Sequence, residues 1–448
     1  MGSMLDAIDA GDASLGVVGL GYVGLPLSVA FQQAGLDVVG YDVDAERVDA
    51  LREGESYVED VSGDALDAAL ANGFTPTTDA DALGDCAVLA FAVPTGVNPD
   101  GTPDVSAVEA AVETATAQRA PGEETLFVVA STVYPGTVGD VVRPAIERGG
   151  LDSDDALVAV VPERLNPGSA FELSDIPVVV GSDTERGVAV ASALFDEVAK
   201  TVHPVSSTQV AAASKLLENT YRLVNISLVN ELAAVADDFD VDIWEAIEAA
   251  STKPFGFQAF YPGVGAGGHC IPVDPKFLSW RARQEDDRLA MVETAAEVND
   301  RMPSRVAART RDALRADDIA PNEASVLVVG LTYKPNVTDY RNSPAVAACN
   351  RLADTCGTVA AYDPVAADAP VDDGVDVLTT RPAYGDYDLV AVFVAHDVLD
   401  TDAIVAESSR VFDSTNSLDA SAKTVLTFAD GTLPSYRRSA PTASDKTS

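Results

Sequence analysis

Lysine is scarce in this chain of 448 residues. There are only seven: Lys200, Lys215, Lys253, Lys276, Lys334, Lys423 and Lys446. Lys and Arg together number 29 against 71 Asp and Glu, so the net charge is 29 − 71 = −42. A chain so poor in cations is not a nucleic-acid binder by bulk charge, because phosphate backbones need a basic surface. Cysteine is scarce too. Cys86, Cys270, Cys349 and Cys356 are too few for a disulfide framework at this length. His203, His269 and His396 are scattered, which argues against a histidine-based metal site, and no metal is expected. No apolar run approaches the ~20 residues that span a bilayer. Residues Met1 to Ala13 are acidic, unlike the basic start of a signal peptide. These absences predict a soluble cytoplasmic protein without membrane or nucleic-acid partners.

What is present is a core. Hydrophobic residues make up 47% of the chain, so it is not a disordered acidic tail. The acid runs along the whole chain. At molar salt the Debye length falls to about 3 Å, so carboxylate repulsion is screened. Surface acid without lysine therefore points to a salt-accumulating halophile. Length predicts about three domains at roughly 150 residues each.

From Leu15 to about Val205, short apolar runs alternate with helical stretches. The runs are Gly16 to Val18, Val38 to Tyr41, Ala87 to Val93, Leu126 to Ala130, Val158 to Val161 and Val178 to Val180. Continuous apolar strands separated by helices read as a parallel sheet buried on both faces. Ser206 to about Phe239 carries one long helical pattern without Pro or Gly. Such a helix bridges domains or builds a dimer interface. Asp242 caps a following helix, Ile243 to Ala250. Pro254 to Pro275, rich in Gly and Pro, reads as a loop. A second alternating unit starts near Val326, with a helix at Ser343 to Asp354 and strands at Thr358 to Tyr362, Leu389 to Ala395 and Arg410 to Phe412. The predicted fold is α/β: two Rossmann-like doubly wound parallel-sheet domains joined by a long central helix and a helical middle domain. The predicted division is 1–205 for a dinucleotide domain, 206–310 for a helical dimerisation domain carrying the second motif, 311–434 for the second Rossmann-like domain and 435–448 for a flexible tail.

Two motifs carry chemistry. Gly19-Leu20-Gly21-Tyr22-Val23-Gly24 follows the first strand and opens a helix. Its glycines permit the tight turn, the approach of a pyrophosphate and close helix packing, and the helix N-terminus faces the phosphates. The second strand ends in Tyr41-Asp42, near the expected offset for an acid that bonds a ribose 2′-hydroxyl and repels a 2′-phosphate. NAD is favoured over NADP. The other motif is Gly267-Gly268-His269-Cys270-Ile271-Pro272-Val273-Asp274-Pro275. A cysteine in a glycine loop can reach a substrate, and its thiolate is the useful form. Lys215 and Asn219 share a helix face at i and i+4, where a cation and an amide can hold an oxyanion.

With these residues in view, the chain resembles the UDP-glucose/UDP-N-acetylmannosamine 6-dehydrogenase family over nearly its whole length. Val17 to Pro26 looks like the family's cofactor loop. Val93-Pro94-Thr95 and Ser131 to Thr137 look like the loops lining the nicotinamide. Pro162 to Gly168 looks like its glutamate loop, Lys215 to Glu231 its helix, Gly267 to Pro275 its nucleophile loop. Gly330 to Lys334 and Asp339-Tyr340-Arg341 look like the start of its UDP-binding domain. The resemblance implies cofactor contacts at Gly19, Gly21, Tyr22, Val23, Gly24, Asp42, Arg47, Pro94, Thr95 and Thr132. It implies UDP-sugar contacts at Glu163, Arg164, Leu165, Lys215, Asn219, Arg222, Gly267, His269, Lys334 and Arg341. It implies a homodimer and a four-electron oxidation of a sugar C6 hydroxyl. Cys270 would form the thiohemiacetal and thioester, and Asp274 and a water held by Thr132 would move the first proton. Lys215 and Asn219 would hold the alkoxide, and Glu163 would serve thioester hydrolysis.

UDP-glucose dehydrogenases of this family carry Ser before the cysteine and Phe-Pro-Lys-Asp after it. Here His269 precedes Cys270 and Ile271-Pro272-Val273-Asp274 follows. The chain therefore resembles the N-acetylhexosamine branch, with UDP-N-acetylmannosamine the first-choice sugar. UDP-N-acetylglucosamine or its galacto epimer comes next. Lys276 departs from the aromatic usual in that branch. UDP-glucose oxidation and a non-catalytic NAD or UDP-sugar sensor stay open as alternatives.

Overall fold

A computed structural model describes residues 4–152, 156–165, 173–419, 422 and 424–429. Residues 166–168 of the glutamate loop and the tail lie outside the described residues. The chain forms two compact units. One comprises residues 1–219 and 273–289, the other residues 220–272 and 290–448.

The first unit is built on eight strands: β1 (Ser14–Val18), β2 (Asp37–Tyr41), β3 (Phe74–Thr77), β4 (Val88–Phe91), β5 (Leu126–Val129), β6 (Leu157–Val160), β7 (Val178–Ser182) and β8 (Val202–Val205). Their order is β8-β7-β6-β5-β4-β1-β2-β3. The order 3-2-1-4-5-6 within it defines a doubly wound dinucleotide fold, whose ligand crevice lies where the winding reverses, between β1 and β4. Strands β4 and β5 are buried at every position, which is why they read as unbroken apolar runs. The sheet is not wholly parallel as expected: β6 and β7 pair antiparallel. Strands β3 and β8 escaped the apolar-run reading because each carries a proline, Pro76 and Pro204. A proline that cannot donate to a ladder is tolerated at a sheet edge.

The second unit carries β9 (Ser325–Val329), β10 (Thr358–Tyr362), β11 (Val375–Leu378), β12 (Leu389–Val392), β13 (Val411–Asp413) and β14 (Val425–Thr427), in the order β11-β10-β9-β12-β13-β14. This is again 3-2-1-4-5-6, and here every pair is parallel. β11 and β14 were not anticipated. Both are short and lie at the sheet edges.

Five helices position the chemistry: α1 (Gly24–Gln33), α2 (Thr208–Ala236), α3 (Asp274–Gln284), α4 (Ala290–Ala316) and α5 (Pro344–Ala353). The 29-residue α2 matches the long helical pattern; residues 208–219 belong to the first unit and 220–236 to the second. Asp242 caps the next helix, accepting from the backbone N–H of Trp244 and Glu245, an interaction worth about 1 kcal/mol. The glycine- and proline-rich segment ends sooner than expected, since α3 begins at Asp274. Pro275 sits in its first turn, where a missing N–H costs no helix bond.

Candidate active site

In the first unit the glycine loop leaves β1 at Gly19, whose N–H donates to the Tyr41 carbonyl at 2.8 Å. Gly19 has φ +92°, and a side chain there would press on the Ala92 carbonyl. A side chain at Gly24 would collide with the Gly19 carbonyl. A Cβ at Gly21 would meet nothing within 4 Å, leaving room for a ligand beside the first turn of α1. Val23 flanks that turn, and Tyr22 is exposed. Asp42 is buried at the end of β2 and accepts from Leu20 N–H (2.8 Å) and Asp44 N–H (2.9 Å). Arg47 lies 3.7 Å from its carboxylate. Tyr57, which no sequence motif flagged, donates to the Leu20 carbonyl at 2.6 Å; burial, with Asp42 next, pushes its pKa up to about 12. The second unit has the same corner: a Tyr362-Asp363 strand end, with Leu331 N–H donating to Asp363 at 2.7 Å. There the carboxylate also meets Thr332, Val365 and Ala366 N–H and the His396 ring. Burial opposes its ionisation, but these partners outweigh it and hold the pKa below the ordinary value. The residues present fit NAD at Gly19 to Gly24 and Asp42, whereas Asp363 is already saturated by protein donors.

Ser131 Oγ donates to the Val93 carbonyl (2.7 Å), tying the loop of Pro94 and Thr95 to that of Thr132. Thr95 is buried, Pro94 exposed and Thr132 half-buried. Arg281 of α3 donates to the Pro135 carbonyl (3.1 Å), and Trp280 packs on Tyr134 with ring centroids 4.7 Å apart. Leu216 and Phe277 join Tyr134 in a small core, which brings α2 and α3 together beside this loop.

That packing assembles a charged cluster. Lys215 is 9% exposed and Asp274 is 2% exposed. Asn219 Nδ2 donates to Asp274 Oδ2 at 2.7 Å. Burial pushes the Asp274 pKa up to about 6, opposed by the Lys215 charge and the Asn219 bond. Glu163 is also raised by burial and opposed by Lys215; its carboxylate accepts from Leu165 N–H. One buried ammonium thus serves two carboxylates of raised pKa, an arrangement that can hold developing negative charge and move protons. Arg164 is held by Glu218 and by the Pro177 carbonyl.

In the second unit the loop of Gly267, Gly268, His269 and Cys270 is fixed through its backbone. Asn299 of α4 accepts from Ala266 N–H (2.7 Å) and donates to Ala266 C=O (2.9 Å). Gly268 N–H donates to the Arg341 carbonyl (2.9 Å), and Asn342 donates to Gly268 C=O (3.1 Å). Gly267 packs against Asn342, Pro344 and Tyr333, and Gly268, at φ +81°, lies against the Tyr333 ring. A Cβ at either position would collide. Cys270 is exposed. Tyr333 is raised first by burial, then by Asp339 and Cys270, and lowered by Arg341 and Arg222. His269 bears on Asp339. Arg341 closes on Asp339 with Nη2–Oδ2 2.6 Å, and Lys334 Nζ lies 5.6 Å from the Tyr333 ring centre. Asn299 and Asn342 had no sequence signal, because they act on another segment's backbone; Tyr333 lies within the Gly330 to Lys334 motif, which did not foretell its packing on Gly267 and Gly268.

A doubly wound sheet with a glycine turn and a strand-end aspartate, joined to a cluster of buried Lys215 and Asp274 with half-buried Asn219 and Glu163, defines a dinucleotide-dependent dehydrogenase. Family models agree. The NAD binding domain of the UDP-glucose/GDP-mannose dehydrogenase family matches residues 13–199, its central domain residues 209–301 and its UDP binding domain residues 327–420. The chain belongs to this family and is an NAD-dependent UDP-sugar dehydrogenase, an oxidoreductase. It is 35% identical to the UDP-N-acetyl-D-mannosamine dehydrogenase of Pyrococcus horikoshii over 354 residues, 78% of this chain and 83% of that one. It is 34% identical to the UDP-N-acetyl-D-glucosamine 6-dehydrogenase of Pseudomonas aeruginosa over 86% of this chain and 91% of that one. The solved UDP-D-ManNAc dehydrogenase of Pyrococcus horikoshii superposes with a TM-score of 0.84 at 30% identity, covering 93% of this chain and 99% of that chain.

Proposed function

We propose that this chain oxidises the C6 hydroxyl of a UDP-N-acetylhexosamine, UDP-N-acetylmannosamine first, to the uronic acid through a thioester on Cys270. Bound NAD supplies the hydride acceptor twice per sugar. The rest is the work of side chains. Asp274, with a water held by Thr132, takes the hydroxyl proton as the first hydride leaves. The Cys270 thiolate adds to the aldehyde carbon, and the resulting oxyanion takes a proton to give the thiohemiacetal. Loss of that proton and a second hydride leaves the thioester. Lys215 and Asn219 hold each oxyanion, at about 3 kcal/mol per donor. Glu163 takes a proton from the attacking water, the C–S bond breaks, and the thiolate leaves with the carboxylic acid formed. The sum is one alcohol, two NAD and one water giving one carboxylate, two NADH and three protons.

The observation that carries this reading is the buried Lys215 serving both Asp274 and Glu163, with Asn219 bonded to Asp274. His269-Cys270 and Ile271 to Asp274 support the N-acetylhexosamine branch over UDP-glucose. The two relatives' 35% and 34% identities do not separate the manno from the gluco sugar. We read the protein as cytoplasmic, as halophilic on its charge, and as a homodimer through α2. Its division of labour follows 1–205, 206–310 and 311–434.

The test is a panel of UDP-sugars with NAD in molar KCl. Two NADH per UDP-N-acetylmannosamine is expected; one NADH, or turnover on UDP-glucose alone, refutes the assignment. Cys270→Ser should lower full turnover roughly 10³-fold or more. Near-normal turnover would remove Cys270 from the reaction.

A further inference from the structure

We propose that Glu218 and Arg164 form a positioning pair that holds the Glu163 loop against α2 and so sets the rate of the hydrolytic step. The inference rests on the proposed role of Glu163 as the hydrolytic base. Arg164 directly follows Glu163, and Glu218 lies on α2 between Lys215 and Asn219. The guanidinium meets the Glu218 carboxylate through two nitrogens, Nε to Oε2 at 3.1 Å and Nη2 to Oε1 at 2.6 Å. Its third nitrogen, Nη1, donates to the Pro177 carbonyl at 2.7 Å, just before β7. One side chain therefore pins three segments, the Glu163 loop, the turn of α2 that carries the oxyanion donors, and the entry to β7.

Three features argue for positioning rather than surface charge. All three nitrogens of Arg164 bond to protein, which fixes the plane of the guanidinium and leaves two of its five N–H groups. The two-pronged geometry is the arrangement in which a part-exposed pair keeps its value. The contacts, at 2.6 Å and 3.1 Å, are about as short as the ~3 Å Debye length of molar salt, so screening leaves them in place. Glu163 has its own restraint, the Leu165 N–H on its carboxylate, but that restraint lies inside the loop. Among the described residues, the Arg164 fork ties the loop to the helix of Lys215. A base displaced by about 1 Å can lose roughly 10²-fold in rate.

The consequence is specific to one step. Both hydride transfers precede hydrolysis and use Asp274, Lys215 and Asn219. Hydrolysis adds the water oxygen to the thioester carbon, breaks the C–S bond and sends the water proton to Glu163. Glu218→Ala should therefore leave the first turnover nearly normal and slow the steady state roughly 10- to 100-fold. Rapid mixing should show a burst of two NADH per active site, and mass spectrometry of quenched enzyme should find the uronyl group on Cys270. Arg164→Lys, which keeps the charge and loses the fork, should show a milder burst. Melting temperature in the same salt should change little. Steady-state turnover within twofold of the parent, or a loss without burst or acyl adduct, overturns the pair's role. Glu163→Gln separates the two ideas. If it accumulates the adduct and Glu218→Ala does not, the pair is wrong and Glu163 stands. If Glu163→Gln accumulates none, the reading of Glu163 itself fails and the pair falls with it.

Discussion

Asn219 Nδ2 reaches Asp274 Oδ2 at 2.7 Å, joining α2 to the first residue of α3 with Lys215 one turn away on the same helix. The bond orients a carboxylate that burial lifts to about 6. In the unfolded chain an aspartate titrates near 3.9. The folded state thus binds this proton more tightly, and the stability it adds is complete below about pH 4 and lost as pH rises through about 6. Asp274→Asn should be at least as stable as the parent above pH 6, by as much as about 3 kcal/mol. The gap should close toward pH 4. Melting curves of both proteins across pH 4–8 in one salt concentration check this; a parent that gains on the variant as pH rises would contradict it. As proton acceptor Asp274 works only when ionised, so the first hydride transfer should quicken over the same interval.

Much of this frame was legible because it is local. The Gly19 to Gly24 turn lies in six consecutive residues, and Asp42 follows at a spacing set by one helix and one strand. The long helix of α2 and the cap at Asp242 were legible for the same reason. What could not be read were bonds between distant segments. Arg164 finds Glu218 across 54 positions and Asn299 finds Ala266 across 33, with no pattern to announce either. The α4 helix runs 27 residues through Pro303, a residue that normally signals a stop. The apolar runs of β6 and β7 look like all the others, so nothing in them announces that the two strands pair antiparallel.

Asp42 should set the cofactor. Its carboxylate lies where a ribose 2′-hydroxyl is read, and Arg47 stands 3.7 Å away. Asp42→Ser removes the repulsion toward a 2′-phosphate and leaves Arg47 to meet it. Titration calorimetry should show NAD affinity falling and NADP affinity rising, shifting their ratio by roughly 10²-fold, the scale of 1–3 kcal/mol for a charge-assisted bond. An unchanged ratio would mean that Asp42 serves only the Leu20 turn.

The exposed face of α2 tests the homodimer. Val210, Leu217, Tyr221, Leu228 and Leu232 are each more than 40% exposed, and they recur at intervals of seven and four. That spacing draws a single stripe along a helix. Exposed apolar stripes of this length mark a protein interface, and a second copy would bury the stripe against itself about a two-fold axis. Leu228→Glu should sediment as a monomer at micromolar concentration with its helical circular dichroism intact. A parent that sediments as a monomer would refute the dimer outright.

Salt is the last variable, and the charge of −42 gives its direction. Many cations already touch carboxylates. Arg186 holds Glu124 through both oxygens at 2.6 Å, and Arg148 reaches Glu109 at 2.5 Å and Glu113 at 2.9 Å. Pairs this close survive a Debye length of about 3 Å, whereas repulsion among the remaining carboxylates acts over longer distances and does not. Raising KCl from 0.1 M to 3 M should therefore remove the unfavourable part of the electrostatics and keep the favourable part. A few kcal/mol of relieved repulsion would raise the melting temperature by roughly 3–5 °C in a chain of this length. Most of the rise should be complete by about 1 M, where screening is already short-ranged. Salt that merely strengthens apolar burial would instead keep raising stability steadily with concentration. A melting temperature that is flat or falling across this range would refute the halophilic reading, and a steady rise without saturation would assign the effect to the core rather than to the acidic surface.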